Sequence, residues 1–175
     1  MNRIAIIGSG GSEKSTLAVE IGKALDLPVY HLDKHFWDSG WVETEQGKWE
    51  EIQREICSKS KWVMHGNYGG TMDVRLSSCD TVVFLDLPRV LCIFRTIKQA
   101  FCYRNTTRPD LAAGYPERIT AEFIRWMWEY LKVRRPKILD KLDGLLGSKK
   151  VCLLDSRKAI RRFIESVEKM NLRSN

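Results

Sequence analysis

"RIAIIGSGGSEKSTLAVEIGKAL", residues 3–25, decides the fold. Its first six residues form a short β-branched apolar run ending in Gly8, the pattern of a buried strand. From Ser15 the period changes. Leu17, Ala18, Ile21 and Leu25 recur at helical spacing, and Pro28 follows the end. Between the two lies "GSGGSEKST", residues 8–16, one position away from the G-x-x-x-x-G-K-[ST] pattern of a phosphate-binding loop. Gly8, Gly10 and Gly11 let the backbone fold tightly. Together with Ser12 and Thr16 they would present N–H groups to phosphate oxygens near the positive end of a helix dipole. Lys14 would neutralise the β- and γ-phosphates of ATP, and the Ser15 hydroxyl would be a Mg²⁺ ligand. A glycine-rich turn with a merely solvated lysine is the bland alternative. The position after a first strand argues against it.

The chain reads as a single domain over residues 1–175, with no internal repeat or linker to divide it. Hydrophobic residues make up 43% and charged residues 29%, which suits a globular protein rather than a disordered one. No apolar run reaches membrane-spanning length, and the N-terminus has no signal-peptide pattern. Cys57, Cys79, Cys92, Cys102 and Cys152 are scattered and lack C-x-x-C spacing, so reduced thiols in a cytoplasm are expected. The net charge of +7 suits a phosphorylated ligand or nucleic acid, or solubility alone, and does not choose among them.

Periods of two and 3.6 alternate downstream. "VYHLD", "KWVMH", "TVVFLD" and "KVCLLD" read as four more strands. "GKWEEIQREIC", a segment running to about Ala100, two segments broken near Pro136, and "SRKAIRRFIESVEKM" read as helices. Continuously apolar strands alternating with helices predict a parallel sheet covered on both faces, an α/β three-layer fold.

Five stretches resemble the adenylate-kinase-like P-loop kinases, and more closely the DNA topology modulation (FlaR-related) proteins: "VYHLDKHFW", "WVMHGNYGGTMDVRL", "DTVVFLDLPR", "TRPDLAAGYPERI" and "VCLLDSRKAIRRF". The resemblance implies a five-stranded sheet of order 2-3-1-4-5 and a small lid at about residues 102–118. It makes Asp33 a carboxylate that orients or deprotonates an acceptor hydroxyl or holds metal-bound water, and Arg75 a contact to an acceptor phosphate. Arg95, Arg104 and Arg108 match arginines of the lid and its approach, where guanidinium groups stabilise a transferring phosphoryl. Singly, each arginine could equally be a solvated surface charge. The implied cofactors are ATP and Mg²⁺, and the implied partner is a small acceptor such as a nucleoside monophosphate.

Two positions depart from the family pattern. Glu13 replaces the loop glycine, and His65 stands where the family has a magnesium-holding aspartate. A carboxylate about 5 Å from a phosphate charge, at an effective dielectric of about 20, is repelled by roughly 3 kcal/mol. A side chain forced into the left-handed region adds about 1–2 kcal/mol. Nothing in the nearby sequence plainly compensates Glu13, unless Lys14 is drawn into pairing with its neighbour. A neutral histidine brings no negative charge to a metal that prefers oxygen. Asp33 and Asp86 remain as carboxylates near the metal.

Weaker patterns stand beside these. His31, Asp33 and His35 alternate and would share a face if the second strand extended that far, a spacing that suits a transition metal. Trp37 and Trp41 would either stack on an acceptor base or belong to the core. "KVRRPK" and "RKAIRR" would touch nucleic acid or simply be solvated. Three functions therefore compete: a kinase impaired by Glu13 and His65, a degenerate non-catalytic relative, and a DNA-associated topology modulator.

Overall fold

The structure is a computed structural model that describes residues 1–38, 42–102 and 120–174. The elements are β1 (Arg3–Gly8), α1 (Lys14–Leu25), β2 (Val29–His31), α2 (Leu32–Phe36), β3 (Trp37–Asp38), β4 (Val42–Glu43) and α3 (Gln46–Ser58). They continue with β5 (Trp62–His65), a 3₁₀ turn (Gly69–Thr71), α4 (Met72–Ser78), β6 (Thr81–Leu85) and α5 (Arg89–Cys102). The last are α6 (Ala121–Val133), α7 (Arg135–Asp143), β7 (Lys150–Leu154) and α8 (Arg157–Ser174).

Five strands form one parallel sheet in the order β2-β5-β1-β6-β7. Because β3 and β4 pair only with each other, in a small hairpin, the order counted among the sheet's own strands is 2-3-1-4-5. The strand β1 shows why its sequence is continuously apolar. Ala5 and Ile7 enter a core with Trp62, Met64, Val82 and Phe84, covered by α3, α4, α6 and α7. Ile4 and Ile6 enter a second core with Val63, Val83 and Leu85, covered by α1 and α8. Alternate residues thus face opposite layers, and both layers are buried.

The second strand is shorter than "VYHLD" suggests. His31 pairs with His65, the last residue of β5, so the ladder has no further partner. Leu32, with no exposed surface, then turns into the core at the start of α2. His31, Asp33 and His35 therefore do not share a strand face, which corrects the metal-spacing expectation. Among the described residues no group of three or more His, Cys, Asp or Glu side chains is placed to hold a metal. All five cysteines are free thiols. Among the described residues no helix is long and apolar enough to cross a membrane.

Candidate functional site

Residues 8–13 leave β1 and lead directly into α1, so the glycine-rich segment is a strand–loop–helix connection. Two of its glycines are required by what they touch. A Cβ on Gly11, whose φ is +66°, would lie 2.1 Å from the Cys92 carbonyl oxygen and 2.6 Å from Thr96 Oγ1. A Cβ on Gly8 would lie 2.7 Å from the Leu85 carbonyl oxygen. The loop is thus seated against the end of β6 and the first turns of α5. Gly10 faces Phe123 and Met127 of α6. The Ser9 carbonyl organises the turn, accepting from Ser12 Oγ at 2.7 Å and from Lys14 Nζ at 2.7 Å. Ser12 is fully buried, whereas Ser15 is half-buried and Thr16 exposed in the first turn of α1.

Glu13 is the N-cap of α1, at φ 66° and ψ 32°, the left-handed conformation for which glycine is the unstrained residue. Its charge is not uncompensated. Glu13 Oε2 lies 3.0 Å from Nη2 of Arg95, which descends from α5. This corrects the expectation that nothing answers Glu13. The pair is lopsided: the Arg95 side chain is 9% exposed and that of Glu13 49%. The contact is close but poorly directed, and Nε, Nη1 and Nη2 of Arg95 are all buried without a hydrogen bond among the described residues. A desolvated guanidinium with unused donors beside a glycine-rich loop is suited to an anion.

A second feature is the turn "GNY", residues 66–68, after β5. Asn67 Oδ1 accepts from the Gly8 N–H at 3.0 Å. Tyr68, in the left-handed region at φ 35°, donates from its hydroxyl to Asp33 Oδ1 at 2.5 Å. Burial, and then the neighbouring Asp33 carboxylate, push the Tyr68 phenol far up, so it stays a donor. Arg75 fixes this turn from beneath. Its Nη2 donates to the carbonyls of Asn67 at 2.6 Å and Gly66 at 3.3 Å, and its Nη1 donates to Gln53 Oε1. Arg75 is 1% exposed, and burial lowers its pKa to about 10. The sequence identified Arg75 but not its inward direction, and nothing in the linear pattern singled out Asn67, Tyr68 or Gln53 as its surroundings.

At the end of β5, where the resemblance implies a magnesium-holding aspartate, stands a pair of rings. His65 Nε2 and His31 Nδ1 are 2.6 Å apart, with the rings edge to face. Asp86 is engaged as well: Arg135 binds both its oxygens, with contacts of 2.7, 2.8 and 3.0 Å. Arg135 is thus paired with Asp86, and its neighbour Arg134 lies over the Trp126 ring at 4.8 Å. Trp37 packs edge-on to Phe36 at 4.8 Å. Beside the loop, a groove between α1 and α8 is lined by Glu13, Thr16, Arg157, Ile160 and Arg161. Arg104, Arg108, Trp41 and nearly all of the expected lid lie outside the described residues.

The glycine cradle of residues 8–15, Lys14 and the Arg95 guanidinium, whose buried nitrogens make no hydrogen bond among the described residues, fit a nucleotide's phosphates. The donor set for Mg²⁺ is narrower. Ser15 supplies a hydroxyl, while Asp33, Asp86 and His65 already have protein partners.

No protein-family model matches the chain. In sequence it is similar to YqaC, an uncharacterized protein of Bacillus subtilis (strain 168), with 25% identity over 126 residues, covering 70% of this chain and 69% of that protein. In structure it is similar to a shikimate kinase from Acinetobacter baumannii in complex with shikimate. The TM-score is 0.61 at 16% identity, covering 100% of this chain and 95% of the other. A gluconokinase from Sinorhizobium meliloti 1021 gives a TM-score of 0.56 at 15% identity, covering 98% and 92%. The five-stranded parallel sheet and its flanking helices are the fold of the P-loop kinases.

Proposed function

We propose that this chain binds ATP and transfers its γ-phosphoryl group to a hydroxyl of a small acceptor, with nucleotide binding weakened by Glu13. The observation that carries the reading is convergence. A strand–loop–helix cradle, Lys14 and the buried Arg95 guanidinium meet at one end of the sheet, with Asp33 held on the same side through the "GNY" turn. Gly8, Gly10, Gly11, Ser12 and Thr16 would wrap the phosphates, and Lys14 would exchange the Ser9 carbonyl for phosphate oxygens. The groove beside Thr16 and Arg157 would take the base. Asp33 would accept the proton of the acceptor hydroxyl as its oxygen bonds to the γ-phosphorus and the bond to the β-phosphate oxygen breaks. Arg95, Arg104 and Arg108 would hold the charge on the moving group. Mg²⁺, held by Ser15 and the nucleotide's own phosphates, would supply further charge neutralisation.

The kinship with DNA topology modulation proteins, a cytoplasmic location and a single domain over residues 1–175 belong to the same proposal. A second reading, a nucleotide-binding relative without catalysis, draws support from two observations: Arg95 is held by Glu13, and His65 by His31. The experiment for the first reading is a thermal-shift titration with ATP and Mg²⁺. The expected result is a rise in Tm that Lys14→Met abolishes. An equal rise in wild type and Lys14→Met would place the nucleotide elsewhere.

A further inference from the structure

The proposed phosphoryl transfer requires an acceptor, and we infer that its class is an uncharged, ring-bearing hydroxyl compound rather than one that carries a phosphate or a free carboxylate. The inference rests on the proposed function but uses different residues. The acceptor side of the site is the corner where Asp33 meets Tyr68. Its walls are aromatic. Phe36 packs against Trp37, Trp49 and Tyr68 at centroid distances of 4.8, 5.1 and 4.6 Å, and Trp49 against Tyr68 at 4.8 Å. Phe36, Trp37 and Tyr68 are only half-buried, Phe36 and Tyr68 packing on the core and still leaving part of their surface accessible, whereas Trp49 is buried. Such walls suit the face of a sugar or base ring.

Charge decides the class. An anionic acceptor needs a cation within reach, and Arg75 is the residue that the family resemblance assigns to that task. Here Arg75 is 1% exposed, and its guanidinium is bonded to Gln53 and to the carbonyls of Gly66 and Asn67. It holds the turn that in turn holds Gly8 and Asp33, and is therefore a positioning residue. Among the described residues around this corner, Asp33 is the charge left half-exposed at the aromatic edge. Lys34 is exposed one residue further along α2, and Lys59 is engaged with Tyr30, donating to its hydroxyl at 3.2 Å. A carboxylate with its cation turned inward attracts hydroxyls and repels anions.

The test uses pairs that share a ring and differ by one anionic group: thymidine against thymidine 5′-monophosphate, and glucose against glucuronate. Binding to the full-length wild-type chain is followed without nucleotide, by tryptophan fluorescence and calorimetry. The expected result is that the neutral member of at least one pair binds about tenfold tighter or more, with no pair reversed. Asp33→Asn should narrow that preference. Arg75→Lys should weaken neutral and charged ligands alike, and ATP with them, because it loosens the shared turn. Tighter binding of a charged member, no binding of either neutral compound, or a loss in Arg75→Lys confined to the charged ligands would overturn the inference. ATP titrated separately into the same protein reports on the kinase reading, so the two can fail independently.

Discussion

At residue scale, Glu13 and Arg95 answer each other. A non-glycine residue in the left-handed region costs about 1–2 kcal/mol, and Glu13 sits there at φ 66°. The ion pair to Arg95 offsets part of this, though a half-exposed carboxylate keeps such a pair near 1 kcal/mol or less, as an order-of-magnitude figure. Glu13→Gly should therefore leave stability within about 1 kcal/mol of wild type in anion-free buffer, as chemical denaturation would show. Arg95→Met separates stability from function more sharply. It removes a buried guanidinium that makes no hydrogen bond, so stability should be unchanged or slightly higher. In the Glu13→Gly background, where Arg95 is released from the ion pair, Arg95→Met should nevertheless lower ATP affinity on the order of ten- to a hundredfold, the worth of a charge-assisted hydrogen bond. A strongly destabilised Arg95→Met with intact ATP binding would make Arg95 a structural residue. The sequence displayed the odd residue of the loop but not its partner. Glu13 and Arg95 come together only when α5 packs on Gly11, a contact with no local signature.

At the scale of elements, short connections between chain segments do what the strands alone cannot. The "GNY" turn joins the end of β5 to the loop through Asn67 and to α2 through Tyr68. At the opposite end of the sheet, Asp80 ties down the start of β1, accepting from the Asn2 and Arg3 N–H groups at 2.8 Å each. Burial pushes the Asp80 carboxyl up, but hydrogen bonds from Asn2, Thr81 and Arg3 outweigh it and hold the pKa below its usual value. A carboxylate with a depressed folded-state pKa stabilises the fold above its unfolded pKa, about 3.9, and the contribution disappears as pH falls through the folded value. Asp80→Asn should thus lower Tm at neutral pH, with the gap closing below about pH 4. A gap constant from neutral to acid pH would mean that shape, not charge, is what β1 needs. The elements themselves were largely legible, since apolar runs and 3.6-residue spacing report burial directly. The short helix α2 was not: it arises where β5 runs out of residues to pair with, a tertiary fact.

At the scale of the whole molecule, two buried layers around a parallel sheet fix where a ligand can go. In open α/β sheets, ligands meet the carboxyl ends of the strands, where connections diverge. Here Gly8, His65 and Asp86 all stand at those ends, with Asp33 just beyond β2. The fold was legible because the central strands β1, β5 and β6 are near-continuously apolar and buried on both faces. The glycine loop was legible because its spacing is chemical. The direction of Arg75 and the pairing of His65 with His31 were not, because both depend on which side of the sheet a neighbour occupies. The most direct measurement of the central claim is calorimetric titration of ATP into wild type and Glu13→Gly, with and without Mg²⁺. The account predicts weak binding by wild type and about tenfold or greater tightening in Glu13→Gly even without the metal, since the substitution both removes a repelling carboxylate and frees Arg95 for phosphate. Low-micromolar binding by wild type that Glu13→Gly leaves unchanged would contradict it.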